Sequence, residues 1–363
     1  MSLRNLDDSA FLTQIDSSQM LQRICEMPFH LEAAFKAGVK SAIEAKNIKS
    51  VVFFGLGGSA VAGEIVCQKL SHHWNFPALV IKKSTLPAFI DENTLCVALS
   101  YSGNTKETID CYKEAIKRGC KVIAITSGGN LEKLSAQNKN VIVKLEEDFQ
   151  PRAALGLLIG ATFGSLEKVH LIEDAHEIVA KTVELLHSLK EKYAPDALTE
   201  VNQAKKIALK LLDHLPLVYA SESLGLATSG RWKTQLNENA KVMAFSNVFP
   251  ELAHNEIMSA SELSGSIIIY LKNPDEDADS LIANSIALKL MKPHEEKLLE
   301  IASVGESQME KMLSLIYLGD FVSAYLAILR GVDPTPVEHI SRLKKELKQR
   351  ISLKTTTLDT IES

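Results

Sequence analysis

The first half of the chain alternates short apolar runs with longer stretches of helical periodicity. Five apolar runs predict buried strands over Val51–Phe54, Ala78–Ile81, Thr94–Leu99, Lys121–Ile125 and Val141–Val143. Helical patterns cover Ala60–Leu70 and Lys106–Arg118. Short buried strands that alternate with helices of about ten residues predict right-handed crossovers and a parallel sheet.

The second half repeats this alternation after a long helical stretch. That stretch covers about Ala153–Leu212 and is interrupted near Pro195. Four further strands are predicted over Leu217–Ala220, Lys241–Phe245, Ser266–Tyr270 and Leu298–Ile301. Helices are predicted over Leu224–Asn237, Glu306–Leu329 and Val337–Arg350, with Pro334-Thr335-Pro336 breaking the last two apart.

These patterns predict an α/β fold with two domains, each a doubly wound parallel sheet flanked by helices. We expect a helical segment over residues 1–47 and a first domain over 48–170. A second domain with a helical connector is expected over 171–330, followed by a C-terminal segment and helix over 331–363.

Composition narrows the classes of partner. The chain has 363 residues and a net charge of −5, with dispersed Lys and Arg, so we expect no nucleic-acid binding. No apolar run reaches about 18 residues and the N-terminus lacks a signal-peptide pattern, so we expect no membrane span. The five cysteines form no C-x-x-C pair, which favours a reducing cytoplasm. Adjacent His72 and His73 lack a Cys or acidic partner nearby, so we expect no metal site.

The loop after the first strand matches a dinucleotide fingerprint. Gly55-Leu56-Gly57-Gly58-Ser59-Ala60 has the G-x-G-x-x-A form. The second strand ends in Val80-Ile81-Lys82-Lys83-Ser84, which has no acid to bind a ribose. At this point both an NADP site, with lysines near a 2′-phosphate, and a tight packing turn remain open.

A second loop changes this interpretation. Ser100-Tyr101-Ser102-Gly103-Asn104-Thr105 places three Ser or Thr hydroxyls between the end of a strand and the start of a helix. Helix N-termini attract anions, and the hydroxyls add donors, although one of them could be an ordinary cap. A third polar loop, Thr126-Ser127-Gly128-Gly129, follows the next strand. Together the loops fit one compact phosphate better than a dinucleotide, and the candidate ligands are Gly58, Ser59, Ser100, Ser102 and Thr105.

Several motifs then resemble a known family. Gly57-Gly58-Ser59 and the S-Y-S-G-N-T loop look like a sugar isomerase (SIS) domain. Four stretches sharpen the likeness to the SIS-type bifunctional phosphoglucose/phosphomannose isomerases: Pro151–Gly156, Gln235–Lys241, His254–Glu256 and Gly331–Val337. The resemblance covers about residues 25–350. It implies two SIS domains and a homodimer whose active site lies between domains and is completed by the other subunit.

The resemblance also implies an activity without a metal or redox cofactor. Glucose 6-phosphate and mannose 6-phosphate would each interconvert with fructose 6-phosphate through a cis-enediol, with specificity for glucose 6-phosphate alone as the alternative. Glu238 would be the base, His254 of a partner subunit would open the sugar ring, and Arg152 would stabilise the enediolate. Lys344 resembles the C-terminal active-site lysine, with Lys345 as its alternative.

Each of these residues also has a plain structural interpretation. Glu238 could be a solvated acid at a helix end, His254 a capping or core residue, and Arg152 a surface residue. Lys344 could belong to a charged helix face.

Two other functions remain to be weighed. A non-catalytic SIS sugar-phosphate sensor would usually carry a basic recognition helix, which the sequence lacks. An NADP-dependent oxidoreductase would leave Ser100–Thr105 unexplained.

Acceptance of mannose 6-phosphate would need room and a small polar side chain near C2 of the sugar. Thr335 is a candidate for that role.

Overall fold

Two parallel sheets form the framework of the protein. The computed structural model describes residues 5–41, 47–70, 74–258, 265–291 and 297–361. The strands of the first sheet are β1 (Ser50–Phe54), β2 (Ala78–Ile81), β3 (Thr94–Leu99), β4 (Lys121–Thr126) and β5 (Val141–Lys144). The strands of the second sheet are β6 (Leu215–Ala220), β7 (Phe245–Val248), β8 (Ser266–Lys272) and β9 (Leu298–Ala302).

The strand order of each sheet places a switch point beside its first strand. The orders are β2-β1-β3-β4-β5 and β7-β6-β8-β9, and the pairs are parallel. The chain therefore winds outward in both directions from β1 and from β6, and ligands of such sheets bind at the carboxyl edge near that point. The predicted fold class is confirmed.

Helices flank both sheets. They are α1 (Ser9–Ile15), α2 (Met20–Cys25), α3 (Met27–Val39), α4 (Gly58–Leu70), α5 (Lys106–Lys117), α6 (Gly129–Gln137), α7 (Leu155–Lys168), α8 (Ala175–Tyr193), α9 (Gln203–Leu211), α10 (Gly225–Glu238), α11 (Ala278–Met291), α12 (Gln308–Leu329) and α13 (Glu338–Ile361). Every residue of β1 and β3 is buried, which is why these strands read as continuous apolar runs.

Helix α12 is the central helix of the core. It is long and apolar enough to cross a membrane by length and composition, yet it is buried inside the protein. Glu310, Lys311 and Asp320 interrupt its apolar sequence. Asp320 is paired with Arg231 of α10, so the charge is neutralised within the core.

Helices α3 and α7 pack with their backbones in close approach. A methyl group at Gly156, Gly160 or Gly164 would lie 2.2–2.7 Å from a carbonyl oxygen of α3. These glycines recur every four residues, so they form one stripe along α7 that accepts α3. This contact fixes the N-terminal helical segment against the first sheet.

Three details of the predicted elements are wrong. The strand predicted over Lys241–Phe245 begins only at Phe245, because Lys241 has a left-handed backbone with φ of 54° and cannot continue a strand. The stretch 153–212 contains three helices rather than one region broken once near Pro195. Helices α6 and α11 were not predicted at all. His72 and His73, for which no metal site was expected, lie outside the described residues.

Candidate active site

The first loop brings three segments together at the carboxyl edge of the first sheet. Gly57 has a left-handed backbone, and α4 begins at Gly58. A methyl group at Gly58 would lie 3.2 Å from the Pro151 carbonyl oxygen and 3.5 Å from the Arg152 Cα. The absence of a side chain at Gly58 therefore admits the Arg152 backbone close to the loop.

The hydroxyl-rich second loop, Ser100–Thr105, lies directly beside the first. The Ser59 hydroxyl accepts a hydrogen bond from the Tyr101 backbone N–H at 3.2 Å. Ser100 is buried, and its hydroxyl donates to Thr105 Oγ1 at 3.2 Å. Ser102 is exposed. The structure thus brings Gly58, Ser59, Ser100 and Thr105 into one cluster, with Ser102 at its rim.

The third loop braces the second. The Ser127 hydroxyl donates to the Tyr101 carbonyl oxygen at 2.7 Å, and the Asn130 N–H donates to Asn104 Oδ1 at 3.1 Å. At Gly103, where φ is 62°, a methyl group would lie 1.7 Å from the Gly128 carbonyl oxygen. The two loops can pack this closely only with glycine at position 103.

Arg152 is buried in the turn that precedes α7, with 3% of its surface exposed. Its Nε donates to Asn239 Oδ1 at 2.6 Å. Its Nη2 donates to the Pro334 and Thr335 carbonyl oxygens, both at 2.7 Å. Burial lowers the pKa of Arg152, and the neighbouring Glu238 carboxylate opposes that shift. The surface interpretation of Arg152 is therefore wrong.

Glu238 is the last residue of α10 and lies next to Arg152. Its Oε2 is 3.7 Å from Arg152 Nη1, and 30% of its side chain is exposed. The carboxylate therefore has one neighbour that is a buried cation and one side that is open to a ligand. A carboxylate and a guanidinium in this arrangement can move a proton and stabilise a developing negative charge.

A second buried arginine, Arg231, contacts the backbone of Arg152. Arg231 on α10 donates to both carboxylate oxygens of Asp320, at 3.0 and 2.8 Å. Its Nη2 also donates to the Arg152 carbonyl oxygen at 2.7 Å. Sequence reasoning missed this pair, because its residues lie 89 positions apart and belong to no local motif.

Three predicted residues lie apart from the Arg152–Glu238 pair. His254 is exposed in the 3-10 helix Glu251–His254. It forms no hydrogen bond or ion pair with Arg152 or Glu238 within the described part of the chain. Lys344 and Lys345 are exposed on α13, and α13 has no extensive contact with any other helix or strand that the structure describes.

The donors at the carboxyl edge are of the kind that binds an anion. They are the hydroxyls of the first two loops, next to the N-terminus of α4, and such groups suit an oxyanion such as a phosphate. Within the described segments, no group of three or more His, Cys, Asp or Glu side chains could hold a metal ion.

Family models match two parts of the chain. The SIS domain model matches residues 45–150. The model described as the bacterial phospho-glucose isomerase C-terminal SIS domain matches residues 200–347. The two matches coincide with the two sheets.

Relatives match over most of the length. A bifunctional phosphoglucose/phosphomannose isomerase from Caldicellulosiruptor bescii is 37% identical over 91% of this chain and 99% of the relative. One of the same name from Aquifex aeolicus is 36% identical over 83% of this chain and 91% of the relative. A D-glucosamine-6-phosphate 4-epimerase from Sulfolobus acidocaldarius is 30% identical over 68% of this chain and 76% of the relative.

Solved structures share the fold. A glucose-6-phosphate isomerase like protein from Thermus thermophilus superposes with a TM-score of 0.62 at 18% identity, covering 94% of this chain and 99% of that chain. At this identity the likeness concerns the fold alone.

Proposed function

The chain belongs to the family of bifunctional phosphoglucose/phosphomannose isomerases, and from this premise we propose how its described residues perform the reaction. The protein is an isomerase that interconverts aldose and ketose 6-phosphates: glucose or mannose 6-phosphate with fructose 6-phosphate. The observation that carries the assignment of its site is the Arg152–Glu238 pair, 3.7 Å apart and next to the phosphate-type loops.

The phosphate of the substrate binds at Gly58, Ser59, Ser100, Ser102 and Thr105. The positive end of the α4 dipole favours an anion at this edge, and the hydroxyl-rich loop adds hydroxyl donors there. The phosphate does not react, so its binding energy serves to orient C1 and C2 toward Glu238.

Glu238 moves one proton between neighbouring carbons. It removes the proton from C2 of the open-chain aldose, the electron pair forms a C1–C2 double bond, and O1 takes the negative charge of a cis-enediolate. The proton then returns to C1, the O2 proton passes to O1, and C2 becomes the carbonyl of the ketose. Arg152 stabilises the enediolate, since its guanidinium is desolvated and fixed before the charge develops.

The site is completed by a second copy of the chain, which supplies His254 to open the sugar ring. Two apolar stripes that face solvent on one chain support a homodimer. Ile282, Ile286 and Leu290 follow one face of α11, and Ile340, Leu343 and Leu347 follow one face of α13. Lys344 lies on the same α13 and would reach a site only through this assembly.

Thr335 is the candidate for accepting the mannose configuration at C2. Its Oγ1 is buried without a hydrogen-bond partner among the described residues, while its carbonyl oxygen accepts from Arg152. A buried hydroxyl beside the proposed enediolate stabiliser could bind O2 of either epimer.

We also propose a cytoplasmic location, because all five cysteines are free thiols.

A coupled assay tests the proposal. Fructose 6-phosphate is supplied with EDTA, and the formation of glucose 6-phosphate and of mannose 6-phosphate is followed by separate coupling enzymes. We expect turnover to glucose 6-phosphate at an undiminished rate in EDTA. Failure to form either aldose phosphate would overturn the proposed activity.

A further inference from the structure

Four backbone carbonyl oxygens lie within hydrogen-bond distance of the Lys241 ammonium group, so its three N–H groups serve them with one acceptor sharing a donor. Its Nζ donates to the oxygens of Glu238 and Asn239 at 2.9 and 3.1 Å. It also donates to those of Asp333 and Pro334 at 2.9 and 3.0 Å. Lys241 as a whole residue is exposed, and only its amine is partly enclosed by these oxygens, so packing of its side chain in the core does not explain the arrangement.

The four oxygens belong to two segments that carry the proposed site. One segment is the end of α10, which presents Glu238 and the Asn239 amide that binds Arg152. The other is the loop over residues 333–335, whose Pro334 and Thr335 oxygens also bind Arg152. The Pro334 oxygen accepts from both cations, so Lys241 and Arg152 share one acceptor.

Local structure and charge both favour a cation at this point. The left-handed backbone of Lys241 turns the chain back after α10 and returns the side chain to the helix end. Carbonyl oxygens at a helix C-terminus lack intrahelical donors, and a cation there is favoured by the helix dipole. The charged groups that act on the Lys241 amine are Arg152, Asp333, Glu238 and Glu338.

We infer that Lys241 is a positioning residue for the Arg152–Glu238 pair: its ammonium ties the end of α10 to the 333–335 loop and so fixes base and cation relative to each other. This inference rests on the proposed function. Lys241 touches neither of the two side chains through Nζ, and it acts through the backbone that carries them.

The charge of Lys241 changes within an accessible pH range. Burial of the amine, and next the nearby Arg152, lower the pKa of Lys241 to about 8. Below that pH the group is an ammonium that makes charge-assisted hydrogen bonds, and above it the group is a neutral amine that binds carbonyl oxygens more weakly. The hydrogen-bonded link between the end of α10 and the 333–335 loop therefore weakens as the pH rises through about 8. We expect kcat to fall over the same pH range.

Three variants test the inference. Lys241→Met keeps the stem and removes the donors, Lys241→Arg keeps a charge at every pH used, and Lys210→Met on the exposed face of α9 is the matched control. Glu238→Gln serves as the reference for loss of the base. Each is assayed for kcat and KM with fructose 6-phosphate from pH 6 to about 10, and its thermal unfolding is recorded.

For Lys241→Met we expect kcat to fall about tenfold to a hundredfold, as small displacements in an active site cause, with KM changed less than about twofold. Lys241→Arg should keep most of the kcat at pH 7 and move the alkaline limb of its profile upward. Lys210→Met should match the wild type in both respects.

The inference is overturned if Lys241→Met keeps the wild-type kcat, or if Lys241→Arg leaves the alkaline limb unmoved. The second comparison stands even where Lys241→Met does not fold. Failure of the proposed function looks different, since the wild type would then be inactive or Glu238→Gln would be fully active.

Discussion

Gly103 shows how one residue determines the shape of the proposed phosphate site. Its backbone is left-handed, and a side chain there would collide with the Gly128 carbonyl oxygen at 1.7 Å. For Gly103→Ala we therefore expect the hydroxyl-rich loop to be displaced, KM for fructose 6-phosphate to rise about tenfold, and the free energy of unfolding to fall by about 1–3 kcal/mol. Steady-state kinetics and urea unfolding measure both.

Gly230 provides the control for that substitution. It lies inside α10, and a methyl group there would meet no heavy atom within 4 Å other than its chain neighbours and the nearby backbone of its own helix. Gly230→Ala should leave KM unchanged and raise the free energy of unfolding by up to about 1 kcal/mol, because alanine favours the helix. A wild-type KM in Gly103→Ala would contradict the placement of the phosphate on this loop.

At the same scale, the sequence pointed to the residues of the proposed site but not to the contacts that hold them. Arg152, Glu238 and the loop hydroxyls stand in short motifs, so pattern and family resemblance pointed to them. Asn239 belongs to the same motif, but its hydrogen bond to Arg152 spans 87 positions. Such a contact depends on how two distant segments pack, and no local pattern encodes that.

At the scale of elements, strands that are buried on both faces were predicted best. The runs that form β1 and β3 are continuously apolar and end within one residue of their predicted bounds. β7 was misplaced because its burial is only partial and because Lys241 interrupts the apolar run with a left-handed turn. Amphipathic periodicity also could not reveal the pairing of α3 with α7, which depends on glycines instead of large apolar side chains.

At the scale of the whole molecule, two SIS domains are confirmed by fold and by family. The division of the chain at residue 170 stays a prediction. One chain brings together the proposed base Glu238, the buried Arg152 and the proposed phosphate loops, but it leaves His254 and Lys344 exposed elsewhere. This separation is the physical reason for proposing that a second copy completes the site.

A shared site makes a specific prediction for mixed dimers. Glu238→Gln and His254→Ala are each expected to be inactive alone. When both chains are co-expressed, a heterodimer contains one site with an intact Glu238 and an intact His254. Random pairing should then restore roughly a quarter of the wild-type activity, as expected for a symmetric dimer with two sites. Activity no higher than that of either parent would show that His254 does not act across the interface.

Deuterium exchange at the substrate tests the role of Glu238. Glucose 6-phosphate is incubated with the protein in D₂O, and the label that appears at the transferred position is followed by NMR. A single base that holds the proton between C1 and C2 exchanges part of it with solvent before returning it. We expect the wild type to incorporate deuterium and Glu238→Gln, correctly folded, to incorporate none above background; incorporation by Glu238→Gln at the wild-type rate would contradict the account.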